Sequence, residues 1–122
     1  MQIHWNRKNK YRATRTDGFP SRLEAAVFDL LNMLLNAGKI IRIRQQHRRD
    51  FPCGIGWKVD FSCDRPDGST YLVEAKGFET SDYILKKRMY ARCPCLTAPS
   101  HLEIFKGSYA KPRVAEVISR KI

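Results

Sequence analysis

The sequence predicts a mixed α/β (α+β) fold, a β-sheet flanked by helices, on three observations. Two runs, Trp57–Cys63 and Tyr71–Lys76, alternate apolar and polar residues (Leu72 excepted) around Pro66-Asp67-Gly68, the pattern of half-buried strands joined by a turn. Ahead of them Leu23, Val27, Leu30, Leu31 and Leu34 recur at helical spacing. After them come a second helical segment and another short strand. The core order is α-β-β-β-α-β, closed by one more helix.

Each element has its own local signal. Residues 1–16 hold Arg7, Lys8, Lys10, Arg12 and Arg15 and no acid, with Trp5 and Tyr11 interleaved. They read as a basic arm that follows phosphates and offers aromatics for stacking. A purely solvating tail is the blander alternative. Residues 17–122 then form one domain. Asp17-Gly18 is a turn, and Ser21-Arg22-Leu23-Glu24 is a capping box that opens a helix ending at Gly38. Lys39–Gln46 reads as a strand with Ile41 and Ile43 inward and Arg42 and Arg44 outward. His47 to Gly56 reads as a loop, basic with Arg48 and Arg49, then punctuated by Pro and Gly.

The central hairpin follows, folded about Asp67, and Gly77 ends its second strand. A helix begins near Thr80 or Ser81, with Tyr83, Ile84 and Met89 inward and Lys86, Lys87 and Arg88 as a basic cluster. Cys93-Pro94-Cys95 closes it. His101–Phe105 is a short strand, and Arg113–Arg120 is the last helix, with Pro112 in its first turn.

The 122 residues suit a single domain, and 43% hydrophobic content suffices for one core. No run approaches the ~20 apolar residues of a membrane span. The basic start MQIHWNRKNK has no apolar region behind it, which argues against a signal peptide and for a cytoplasmic protein. Lys and Arg number 23 against 12 acids, a net charge of +11. Such an excess points to a polyanion, with nucleic acid the first candidate and a membrane surface a poor one. The cysteines, Cys53, Cys63, Cys93 and Cys95, are spaced C-x9-C and C-x-C. Neither spacing is a zinc knuckle, so free thiols are the expectation and Zn²⁺ is disfavoured.

Folding the hairpin about Asp67 sets Asp60 opposite Glu74, with Lys76 two residues along. Paired like charges cost roughly 0.2–1 kcal/mol across strands. A divalent cation reverses that sign, since carboxylates are ligands of Mg²⁺. Glu24 has two competing roles: capping its own helix, or standing as a third acid at the edge of this pair.

Asp60 and Glu74-Ala75-Lys76 in a hairpin, after a helix carrying Glu24, resemble the PD-(D/E)XK nuclease superfamily, as does the core order. Lys10-Tyr11, Thr16-Asp17-Gly18, Ser21-x-x-Glu24-Ala25 and Val73-Glu74-Ala75-Lys76-Gly77-Phe78 resemble small phage-borne endonucleases of that superfamily. Phe19-Pro20-Ser21-Arg22-Leu23-Glu24 and Phe105-Lys106-Gly107 resemble phage Holliday-junction resolvases. The likeness spans roughly residues 10 to 107; Val59 stands where the family's name has proline.

The resemblance implies Mg²⁺-dependent hydrolysis of DNA phosphodiesters, with Mn²⁺ as a substitute metal. Asp60, Glu74 and the Ala75 carbonyl would hold the metal, and Glu24 would join directly, through water, or by placing a second ion. Lys76 would orient the attacking water or stabilise the developing oxyanion. Arg7, Lys8, Lys10, Arg12, Arg15, Arg42, Arg44, Arg48, Arg49, Lys86, Lys87 and Arg88 would contact phosphates, favouring DNA structure, such as a junction, over base sequence. A homodimer follows by analogy with resolvases, and a bacterial host cytoplasm from the phage likeness. The competing reading is a non-catalytic, basic nucleic-acid-binding protein on the same scaffold.

Overall fold

The computed structural model describes residues 21–51, 54–92, 99, 101–108 and 110–119. The expected arm (1–16), the Asp17-Gly18 turn and Cys53, Cys93 and Cys95 lie outside the described residues. Among the described residues the order is α1 (Arg22–Asn36), β1 (Arg42–Asp50), β2 (Gly56–Asp64), β3 (Thr70–Ala75), α2 (Ser81–Arg92), β4 (His101–Ser108) and β5 (Lys111–Ser119).

The five strands form one mixed sheet in sequential order. β1, β2 and β3 are antiparallel neighbours, β3 and β4 are parallel, and β5 returns antiparallel along β4. A parallel step needs a long crossover, and the segment carrying α2 supplies it.

The first helix forms where its signals predict. Ser21 is its N-cap, accepting from the Glu24 N–H at 3.1 Å. Its end is a Schellman arrangement: the Lys39 N–H donates to the Leu34 carbonyl and Gly38 to Leu35, with Gly38 at φ +78°. Leu23, Val27 and Leu31 are buried, while Leu34 at the far end is 37% exposed.

The hairpin turn also follows its residues. Arg65 pairs with Ser69, Gly68 donates to the Arg65 carbonyl, and Gly68 takes φ +91°, a three-residue loop of the bulged type. The register places Phe61 against Val73 and Cys63 against Tyr71, as folding about Asp67 requires.

Three expectations are corrected. The residues expected to form a helix at 113–120 are strand β5. Val114, Val117 and Ile118 are β-branched, and pairing along β4 outweighs the helical look of the charges around them. Pro112 therefore faces Gly107 across a hairpin instead of opening a helix. Second, β1 runs on through His47–Asp50, expected as loop, because β2 begins at Gly56 and pairs along that whole stretch. Ile41 precedes the strand and is 58% exposed, not inward.

The third correction concerns faces. Phe61, Cys63, Tyr71, Val73 and Phe105 pack with Leu23, Val27 and Leu31 of α1. Trp57 and Val59 share their parity but join a second core with Phe51, Leu72, Leu102, Ile104 and Tyr90 of α2. Strict alternation puts all of β2's odd residues on one face; the pleat changes phase at Asp60. Gln46, between the β1 residues paired with Phe61 and Val59, has φ +51° and makes no ladder pair. Both faces of the central strands thus carry buried residues, Glu74 among them.

Candidate active site at the split between β2 and β3

The site sits where the sheet opens. Ladder pairing between β2 and β3 ends at Phe61 and Val73. One step further, side chains replace the backbone ladder. The Asp60 N–H donates to Glu74 Oε1 at 2.8 Å, and the Ala75 N–H donates to Asp60 Oδ2 at 2.9 Å. Each carboxylate satisfies the opposite strand's orphaned N–H. Meanwhile β3 stays tied to β4, with Lys76 N–H donating to the Phe105 carbonyl at 2.9 Å. The two strands separate by the width of two acids.

Glu24 reaches this split from α1. Its backbone N–H serves the cap, while its carboxylate Oε2 accepts from Gln46 Nε2 at 2.8 Å. Of the two roles weighed for the Glu24 side chain, the described contacts show a carboxylate turned to Gln46, while the helix is capped by Ser21. Gln46 also eases the charge on Asp60, so it stands by both the acid on α1 and the acid on β2. Sequence reading passed over Gln46; a polar residue in a strand carries no signal until its partners are known.

Electrostatics mark the cluster. Glu24 and Glu74 are 5% and 2% exposed. Burial pushes the Glu24 carboxyl up to about 7, and the Asp60 charge adds to the rise, against the Gln46 hydrogen bond and Lys76. Burial raises Glu74 strongly, followed by repulsion from Asp60, while the Asp60 N–H and Lys76 oppose the rise. Asp60 is raised by burial too, against the Ala75 N–H, Lys76 and Gln46. Three acids whose charged forms all cost free energy share one place.

Lys76 is the nearest compensating charge. Its Nζ lies 4.6 Å from the centroid of the Tyr83 ring, a cation–π contact that fixes the ammonium beside the acids. Tyr83 comes from the first turn of α2. Thr80 caps that turn, its Oγ1 accepting from the Tyr83 N–H at 3.1 Å. Lys58, Lys76 and Lys86 line a cleft of about 230 Å³ together with Glu74, Thr80 and Tyr83.

The metal question turns on the donor set. Among the described residues no group of three or more His, Cys, Asp or Glu side chains forms a ready metal cage. Mg²⁺, however, keeps several waters and binds through one or two carboxylates plus substrate phosphate. Asp60 and Glu74 fit that limited demand: hard oxygens, mutually repelling and short of solvent. Ala75, expected to serve through its carbonyl, enters the described geometry through its N–H.

The expected phosphate contacts divide. Arg44 is held in a bidentate pair with Asp64, at 2.9 and 2.8 Å, and Arg42 lies 3.8 Å from the same acid. Lys87 lies between Glu79 and Glu116 at 3.1 and 3.0 Å, with Lys106 closing the network on Glu79. Arg44 and Lys87 thus have carboxylate partners within the fold. Arg42, Arg48 and Arg88 are exposed, and Lys86 pairs with exposed Asp82 at 3.2 Å. The side chain of Arg49 and the residues Arg7, Lys8, Lys10, Arg12 and Arg15 lie outside the described residues. Cys63 is a buried free cysteine whose thiol burial pushes up to about 12. No helix among the described residues is long and apolar enough to cross a membrane.

Comparison with known protein families, with curated proteins and with solved structures gives no match.

Proposed function

We propose that this chain is a Mg²⁺-dependent DNA endonuclease of the PD-(D/E)XK kind, selective for branched DNA. The observation that carries the reading is the reciprocal bonding of Asp60 and Glu74 at the strand split, with Lys76 beside it and Glu24 tied in through Gln46. A fold gains nothing from three buried acids whose ionisation is penalised, so such a cluster is better understood as a functional site.

Asp60 and Glu74 would hold the metal, with the Ala75 carbonyl and water completing its shell and Glu24 at its edge. Bound there, Mg²⁺ supplies an acidified water and neutralises charge on the phosphoryl oxygens. The chain's own groups do the rest. Gln46 holds the Glu24 carboxylate toward the split. Lys76, fixed over Tyr83, offers a positive donor to a phosphate oxygen or to the attacking water. Lys58 and Lys86 give the mouth of the cleft a charge that attracts the DNA backbone. These contacts do not read bases, which favours recognition of DNA shape.

The test is a cleavage panel: labelled four-way junction, flap, single strand and linear duplex, each with Mg²⁺ or EDTA. Wild type is expected to cut branched DNA with Mg²⁺ alone. Glu74→Ala and Lys76→Ala, folded and still binding DNA, are expected to lose at least about 10²-fold in rate. Equal cutting of all duplexes removes the selectivity and keeps the enzyme. Tight binding with no cutting in Mg²⁺ or Mn²⁺ replaces the enzyme with a nucleic-acid-binding protein.

A further inference from the structure

We propose that the cleft between the start of β2 and the first turns of α2 seats a second backbone phosphate, next to the one presented to Asp60 and Glu74. This deepens the nuclease reading and rests on it for the identity of the strand. The ligand class is a phosphodiester of nucleic acid, bound through its phosphate and sugar.

Charge comes first. Lys58, Lys76 and Lys86 converge on this cleft against Glu74 and Asp82. Among the described residues, neither Lys58 nor Lys76 is ion-paired to a carboxylate. The Lys86–Asp82 pair is at the surface, with Asp82 73% exposed, so an incoming anion exchanges with it at little cost. Lys58 is exposed on β2, where a lysine serves no core contact.

Hydrogen-bond donors come second. The N-terminal turn of the 12-residue helix α2 borders the cleft; Thr80 takes the Tyr83 and Ile84 N–H groups, so Ser81 and Asp82 offer the backbone donors and the helix end its partial positive charge. Tyr83 is 5% exposed, and its hydroxyl is buried without a hydrogen-bond partner. An unpaired buried hydroxyl is costly to the fold, and Tyr83 is one of the residues that line the cleft.

Size and the aromatics limit the ligand. Small-molecule pockets span roughly 300–1,000 Å³, and this cleft is smaller, at about 230 Å³. The aromatic rings at the cleft are not free platforms. Trp57 is 4% exposed, stacked on Phe51 at 5.7 Å and edge-on to Tyr90 at 5.2 Å. Bases find no open ring to stack on, which leaves the backbone.

The experiment is an amide NMR titration of the whole chain in EDTA, with inorganic phosphate and then with the 5′-phosphorylated dinucleotide pTpT. Saturable shifts are expected at Lys58, at Ser81 to Tyr83 and at Lys86. Lys58→Ala/Lys86→Ala is expected to weaken pTpT by about tenfold or more, and Lys58→Arg/Lys86→Arg to retain it. Shifts spread over the surface without saturation, or binding unchanged in the alanine double variant, overturn the proposal. The two readings separate cleanly. Saturable phosphate binding here in a protein that cuts no DNA supports the seat and removes the nuclease. Mg²⁺-dependent cutting whose KM is unchanged in the double alanine variant overturns the seat and leaves the nuclease.

Discussion

At the strand split, the residue of β3 that bonds across to β2 is Glu74. It is buried in a core face beside Leu72, Leu102 and Ile104, and its Oε1 accepts the Asp60 N–H. As glutamine it keeps that acceptor and loses the charge. Glu74→Gln is expected to raise stability in EDTA at pH 8 by on the order of 1–3 kcal/mol, read by thermal melting, while abolishing cleavage. The pH dependence of wild type has the same origin. Glu24 is raised from an ordinary value of 4.5 to about 7, and Asp60 and Glu74 move in the same direction. The folded state therefore holds protons that the unfolded chain releases. This stabilisation is complete below about pH 4 and is lost as pH rises through about 7. Without divalent metal, the melting temperature is expected to fall between pH 5.5 and 8, and the fall to shrink in Glu74→Gln. Asp64 and Glu79 are shifted down by their cationic partners and act oppositely, weakening the fold only in stronger acid. The sequence pattern brought Asp60 and Glu74 together across the hairpin because turn chemistry fixes its register. It could not reveal Gln46 or Tyr83, whose roles come from contacts between distant elements.

At the scale of elements, the strands do not alternate as simple ribbons. The change of phase at Asp60 lets one strand serve two cores: Phe61 and Cys63 under α1, and Trp57 and Val59 under α2. No period-two pattern contains that information, because the residues on both sides of the break share one parity. β5 was hidden for another reason. Its Arg, Ala, Glu and Ser residues look helical, and the strand is made by its partner β4. The β4–β5 hairpin depends on Gly107, with φ +105° and room for no side chain: a Cβ there would lie 2.6 Å from the Lys111 carbonyl oxygen. Gly107→Ala is expected to cost at least about 1 kcal/mol in urea unfolding. A change smaller than a few tenths would mean that the hairpin is not closed as described.

For the whole molecule, charge and architecture point the same way. The chain carries an excess of eleven positive charges, and the opening of its sheet holds three acids. Part of that excess is internal structure, since Arg44 and Lys87 are occupied by Asp64, Glu79 and Glu116. The remainder is expected to make DNA binding steeply salt-dependent. Neutralising Lys58 and Lys86 should reduce the slope of log K against log salt by about one to two. Neutralising Arg44 should instead lower stability by breaking the bidentate pair on Asp64. Net charge was readable from composition; its division between phosphate contacts and internal ion pairs was not, because a lysine's partner is set by the fold.

The most direct measurement is the melting temperature at pH 8 with and without Mg²⁺ or Mn²⁺, for wild type and Glu74→Gln. If Asp60 and Glu74 are the cation site, wild type gains stability with metal in proportion to the logarithm of its concentration, and the variant gains little. Equal shifts in both proteins, or none in wild type, would contradict a cation site at the strand split and the hydrolytic chemistry built on it.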